Sequence, residues 1–191
     1  CLVDNVIIID DASTDDTFNV LNKINLKNKK VTIFRHDKNQ GCGGALSTGY
    51  KYVRDNDIDI AVRMDGDGQM LSRDLEAIID PIATGKSDYT KPNRLFSGEA
   101  YKQIPKIRYF GNSILSLLTK IASGYWNVAD SQSGYTAINL KALKTLNWDK
   151  MYKRYGQPNH LLIMLNVYNF KVKDVIIKPT YGVGEKSDMK I

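Results

Sequence analysis

Cysteine is scarce in this sequence, with two residues in 191. Cys1 and Cys42 are too few for a disulfide scaffold and lack metal-ligand spacing, so both read as free thiols and a stapled secreted fold is set aside. Also missing is any run of about 18 apolar residues, the length needed to cross a bilayer. The longest apolar stretches, Val6 to Ile9 and Leu161 to Leu165, suit buried strands or helices. No internal repeat, low-complexity tract or linker divides the chain. No dense basic run with interleaved aromatics occurs either, which argues against nucleic acid as a partner.

What is present is the balance of an ordinary globular domain, 42% hydrophobic and 25% charged. One domain, residues 1–191, is expected. Lys and Arg exceed Asp and Glu by 27 − 21 = 6, a surface field that favours anionic partners such as nucleotide or lipid phosphates, or that serves solubility alone. The chain opens on Cys1 almost directly in a strand-like run, so a missing beginning is expected, and a signal peptide is neither seen nor excluded.

Val3 to Asp10 reads as a buried strand ending in the turn residues Asp10-Asp11-Ala12-Ser13. Ser13 is the expected N-cap of a helix from about Thr14, with Phe18, Leu21, Ile24 and Leu26 at helical spacing. Val31 to Phe34 gives a second strand. A glycine loop, Asn39-Gln40-Gly41-Cys42-Gly43-Gly44-Ala45, then leads into a helix through Leu46, Tyr50 and Val53. Ile58 to Met64 forms a third strand and delivers the chain to Asp65-Gly66-Asp67-Gly68-Gln69. A helix from about Ser72 to Gly85, kinked or stopped by Pro81, and a short strand at Asp88 to Thr90 follow. The helix from about Pro105 to Ser123 carries Ile114, Leu115, Leu117, Leu118 and Ile121, which suit either the core or a membrane surface. A strand at Thr136 to Ile138, a helix from Pro158 to Leu165 and a strand at Lys171 to Lys178 complete the chain.

Strands alternating with helices predict a mainly parallel sheet flanked by helices, with ligands beyond the carboxyl ends of the strands. That rule puts Asp10-Asp11 and Asp65-Gly66-Asp67 at one rim. A cation that also holds a diphosphate takes a few carboxylate oxygens and leaves other positions to phosphate and water. Glycine at 66 is expected to let the chain turn so that Asp65 and Asp67 converge on one ion, although Asp and Gly are also plain turn residues. Glycines 41, 43 and 44 are expected to let backbone approach a ligand closely. They do not spell a dinucleotide fingerprint, since Leu46 stands where glycine is required, and no Walker lysine follows.

With these residues in place, the sequence resembles the inverting glycosyltransferases of family two, which have the GT-A fold, and above all the dolichol- or polyprenyl-phosphate sugar transferases. Ile8-Ile9-Asp10-Asp11-Ala12-Ser13-Thr14-Asp15-Asp16-Thr17 is similar to the family's nucleotide-binding segment. Asn39 to Ala45 resembles its glycine loop, Asp65 to Gln69 the Asp-Ala-Asp-x-Gln form of its metal motif, and Asp130-Ser131-Gln132-Ser133-Gly134-Tyr135 its acceptor-side segment. The resemblance implies a single Rossmann-like GT-A domain whose first strand, carrying Pro-x-Tyr-Asn-Glu, is missing from this chain. Residues 1–90 would form the nucleotide-sugar half and 91–191 the acceptor half.

It further implies donor contacts at Asp10, Asp11, Ser13, Gly41, Gly43 and Asp65, and Mg2+ or Mn2+ on Asp65, Asp67 and Gln69. Asp130 is the implied catalytic base where the acceptor is a hydroxyl, and an orienting group where it is a phosphate, already anionic. Arg94, Arg108 and Lys186 would line the acceptor side, where guanidinium groups match phosphate. Where many relatives carry an acidic residue opening the late helix, this chain has Asn159-His160, and His160 reads as structural. The expected activity is hexose transfer from a UDP- or GDP-sugar to a polyprenyl or dolichyl phosphate, at the cytoplasmic face of a membrane. Its rivals are transfer to a glycan and an inactive nucleotide-sugar-binding module.

Overall fold

Strand and helix alternate in the computed structural model, which describes residues 3–93, 106–131 and 133–177. Strand β1 (Val6–Asp10) pairs in parallel with β2 (Val31–Arg35), with Val6 opposite Val31 and Asp10 opposite Arg35. Helix α1 (Thr17–Lys27) lies between them in sequence. It begins three residues later than the sequence suggests, because Ser13 is held elsewhere: its N–H donates to Asp10 Oδ1 (2.9 Å) in a turn that places Ala12 at φ 62°. Asp15 Oδ1 accepts the Thr17 N–H instead.

A second sheet holds β3 (Ile60–Arg63), β4 (Tyr89–Asn93), β5 (Thr136–Asn139) and β6 (Val172–Ile176) in the order β3-β5-β4-β6. β3, β4 and β6 run the same way and β5 runs against them. Among the described residues β1 pairs only with β2 and β3 only with β5, so each keeps one open edge. β4 runs on through Pro92 to Asn93, beyond the expected end at Thr90. Its ladder to β5 stops at Thr90, and past that point, among the described residues, only β6 pairs with it, a setting that accommodates a residue lacking an N–H.

Alternation along β5 divides the core. Ile138 faces one layer, built by α2 (Cys42–Asp55), α5 (Leu140–Thr145) and α6 (Gln157–Val167) with Tyr50, Val53, Leu143, Trp148, Leu161 and Leu165. Ala137 faces the other, where α3 (Leu75–Ala83) brings Leu75, Ile78 and Ile82. Both sheet faces are thus covered. Helix α5 was not anticipated from the sequence; Asn139 caps it by accepting the Ala142 N–H at 2.9 Å. Pro81 lies inside α3 rather than ending it, and its carbonyl accepts the N–H groups of Lys86 and Ser87 as the chain turns toward β4. Helix α4 (Lys106–Ser123) packs against α6.

Candidate active site

The ends of β1 and β2 carry the first group of expected site residues. Asp10 is buried, with Oδ1 accepting the Ser13 N–H and Oδ2 3.4 Å from Arg35 Nε. The Ser13 hydrogen bond, more than the Arg35 charge, holds its carboxyl below the usual carboxylate range against the cost of burial. Asp11 is more fully engaged. Its Oδ1 lies 2.7 Å from His36 Nδ1 and accepts the Gln40 N–H at 2.8 Å, while Oδ2 accepts the Gly41 N–H at 2.8 Å. Burial raises its pKa, but these partners outweigh it and the net shift is downward. His36 Nε2 lies 2.9 Å from Thr48 Oγ1 on α2, so Asp11 and His36 tie the end of β1 to the glycine loop and to the helix after it. A groove of about 910 Å³ beside them is lined by Ala12, Ser13, Phe18, Arg35, Lys38 and Asn39, among others.

The glycines have a different close neighbour from the ligand expected. A Cβ on Gly43 would lie 2.2 Å from the Tyr152 carbonyl oxygen, and one on Gly41 would lie 2.6 Å from that of Lys153. Lys153 O accepts the N–H groups of both Gly43 (2.9 Å) and Gly44 (3.1 Å). The backbone that approaches this loop is therefore the chain's own, and it satisfies two amides of the first turn of α2, those of Gly43 and Gly44.

The second group stands where β3 ends and β5 begins, Arg63 pairing with Thr136. Arg63, on the strand two residues before Asp65, grips its carboxylate with Nε at 2.9 Å and a second nitrogen at 3.3 Å. The Asp65 N–H donates to Met70 Sδ at 3.1 Å, closing the loop. Asp67 is exposed and its Oδ1 accepts the Gln69 N–H at 3.0 Å. The turn uses Gly68, at φ 75°, and not Gly66, which lies outside the left-handed region and has no heavy atom within 4 Å of an added Cβ. Arg63 and Met70 were missed at the sequence level. The strand's two-residue period, which puts 63 and 65 on one side, was the available signal for Arg63.

Asp130 forms part of a third group. It is buried, as are Ser131 and Ser133. Lys91, fully buried on β4, donates from Nζ to the Ser133 carbonyl at 2.7 Å. Asp174 on β6, opposite Lys91 in the ladder, accepts the Ala129 N–H at 2.8 Å. Burial pushes the Asp174 carboxyl up, and Asp130 adds like charge, while the Ala129 hydrogen bond and the Lys91 charge oppose the rise. Gly134 joins this loop to the second group, since a Cβ there would lie 2.3 Å from Asp65 Oδ2. Lys91 and Asp174 were not anticipated; a lysine in an otherwise uncharged strand was the only hint.

Asn159 and His160 open α6 in structural roles. Asn159 Oδ1 accepts from Thr119 Oγ1 at 3.2 Å, and His160 Nδ1 accepts the Tyr152 N–H at 3.0 Å. Arg94 and Lys186 lie outside the described residues, and Arg108 is described only as backbone of α4. Among the described residues no three His, Cys, Asp or Glu side chains converge as a metal cluster. Two carboxylates with the Gln69 amide still form an all-oxygen set. Such hard donors suit Mg2+ or Mn2+ and leave positions for phosphate, so the residues present fit that group.

An α/β fold with acidic loops at its strand ends and an Asp-x-Asp turn defines the GT-A class of glycosyltransferases. The family profile described as glycosyl transferase family 2 matches residues 2–146, and the chain belongs to that family. It is 34% identical to the UDP-N-acetylglucosamine–dolichyl-phosphate N-acetylglucosaminyltransferase of Methanococcus voltae, over 93% of this chain and 75% of that protein. The undecaprenyl-phosphate mannosyltransferase of Micrococcus luteus is 26% identical over 80% of this chain and 62% of its own length. Among solved structures, glucosyl-3-phosphoglycerate synthase from Mycobacterium tuberculosis, in complex with Mn2+ and UDP-glucose, superposes with a TM-score of 0.67 at 20% identity. That match covers 94% of this chain and 61% of the synthase, and it speaks for the fold.

Proposed function

We propose that this glycosyltransferase moves a hexose from a UDP- or GDP-sugar to a polyprenyl or dolichyl phosphate. The observation that carries the reading is the 34% identity, across 93% of this chain, to an enzyme named for a dolichyl-phosphate acceptor. The site chemistry supports it. The carboxylate of the acceptor-side segment, Asp130, is buried beside Lys91 and Asp174, and the positions where an acidic group often opens the late helix are Asn159 and His160, both engaged. A phosphate acceptor is already anionic near neutral pH and needs no proton removed, so positioning suffices.

In this reading an acceptor phosphate oxygen attacks the anomeric carbon while the bond from that carbon to the donor diphosphate breaks, releasing a nucleoside diphosphate and inverting the configuration. Asp65, Asp67 and Gln69 would hold a divalent cation, which when bound supplies positive charge against the departing diphosphate. Arg63 orients the Asp65 carboxylate for that duty through its two hydrogen bonds. Asp11 shapes the donor side by accepting the Gln40 and Gly41 N–H groups of the glycine loop, and Asp10 by fixing the turn that carries Ser13. Asp130 orients the acceptor segment, and Arg94, Arg108 and Lys186 are the cations assigned to the acceptor phosphate.

Radiolabelled transfer from a panel of UDP- and GDP-sugars, offered polyprenyl phosphate or an oligosaccharide, tests this. Label that extracts with the lipid is the expected result, and label found only on the oligosaccharide overturns the acceptor assignment. Replacing Asp67 by Ala should abolish transfer and the thermal shift given by nucleoside diphosphate with Mn2+, since binding to the folded state raises its stability.

A further inference from the structure

Helix α4 is inside out. Three of its hydroxyl side chains face the protein, with Ser116 3%, Thr119 5% and Ser123 1% exposed. Four of its large apolar side chains face solvent: Ile114 is 48%, Leu117 51%, Leu118 56% and Ile121 62% exposed, and Trp126, just beyond its end, 65%. A surface helix of a water-soluble domain shows the opposite arrangement. The inner face is specifically fastened, since Ser116 Oγ lies 3.3 Å from Ser131 Oγ and Thr119 bonds Asn159, so the helix is not loosely placed.

We infer that the outward face of α4 lies in the headgroup region of an anionic phospholipid bilayer. Two further observations select that occupant. Residues 100–129 contain Lys102, Lys106, Arg108 and Lys120 and no Asp or Glu, a composition complementary to anionic headgroups. A second copy would bring the same excess of cations in this segment and so offers no such complement. No helix among the described residues is long and apolar enough to cross a membrane, which fits a helix lying in the interface rather than spanning it. Ser131 packs against the inner face of α4 through Ser116, so docking of the outer face would hold the buried Asp130 and Ser131 one helix thickness behind the surface at which the phosphate of a polyprenyl acceptor resides. That purpose rests on the acceptor reading above, whereas the docking itself does not.

The test is flotation of the chain with phosphatidylcholine vesicles, with and without phosphatidylglycerol. Binding to the anionic vesicles that weakens with salt is expected, together with a blue shift of tryptophan emission that Trp126→Phe removes, Trp148 being buried. Leu118→Glu or Ile121→Glu should reduce the bound fraction by about tenfold with no change in circular dichroism, since each side chain stands outside the core. No vesicle binding, binding indifferent to both substitutions, or a dimer in sedimentation that Leu118→Glu dissociates would overturn the proposal. A short water-soluble prenyl phosphate, assayed without vesicles, separates the two readings. Leu118→Glu should leave that transfer intact, and failure of the parent chain to use it while still floating would count against the acceptor and not against the docking.

Discussion

Gly134 and Asp65 are in mutual contact across two loops, so close that a single added carbon on the glycine would sit 2.3 Å from the Asp65 Oδ2 atom. The loop of Gly134 and the loop of Asp65 are therefore packed against each other at this point.

Gly134→Ala should displace the Asp65 carboxylate from the Arg63 grip. A misplacement near an ångström at a reacting site costs about a hundredfold in rate. Steady-state transfer assays should show that loss, while circular dichroism stays native because the collision is local to the rim.

Gly66→Ala should do the reverse. Open space surrounds the position and its backbone is not left-handed. Alanine restricts the unfolded chain, so urea denaturation should show a gain of roughly 0.4–1 kcal/mol. Transfer activity should be retained, because neither carboxylate moves.

Asp11→Asn should loosen the glycine loop, since one of two charged acceptor oxygens becomes a donor. A loss of about 1–3 kcal/mol at pH 7 is expected from urea denaturation. The pH dependence has a definite sign. Asp11 is held below its unfolded value, so its contribution is complete above about pH 3.9 and fades as pH falls through the lowered native pKa. The parent chain should lose stability along that acid limb, and the variant should show a shallower limb.

Lys91→Met should be the most damaging of these changes. It leaves the buried Asp130 and the half-buried Asp174 facing each other as like charges and removes the Ser133 anchor. Stripping one partner from a buried ionic group costs roughly 3–5 kcal/mol. Adding Asp174→Asn should recover part of that loss in thermal denaturation, a coupling that independent sites would not show.

Much of this was legible in the residues themselves. Alternating Val, Ile and turn residues located β1, β2 and β3, and the tyrosine and valine spacing of α2 predicted the face that became buried. The acidic loops were found because strand ends are where such folds place chemistry. What escaped depended on partners distant in sequence. Nothing in Gly41 or Gly43 says that the intruding backbone comes from Lys153, and nothing in Lys91 says that Asp174 will lie beside it on the next strand. For the long apolar helix, periodicity marked an apolar face but not its direction, because serine and threonine can be buried wherever hydroxyl partners await them.

The Lys153 carbonyl at the start of α2 bears on how any anionic ligand is neutralised. A helix beginning is ordinarily a ready seat for phosphate, its free amides and dipole drawing negative charge. Here a neutral oxygen from the carboxyl-terminal half already occupies that seat. The glycine loop is thus the seam along which an early and a late stretch of the chain are sewn together, and in the proposed reaction the donor's charge falls to side chains and to the cation proposed for the other loop. Building the cleft and neutralising its ligand have become separate tasks, carried by separate stretches of sequence.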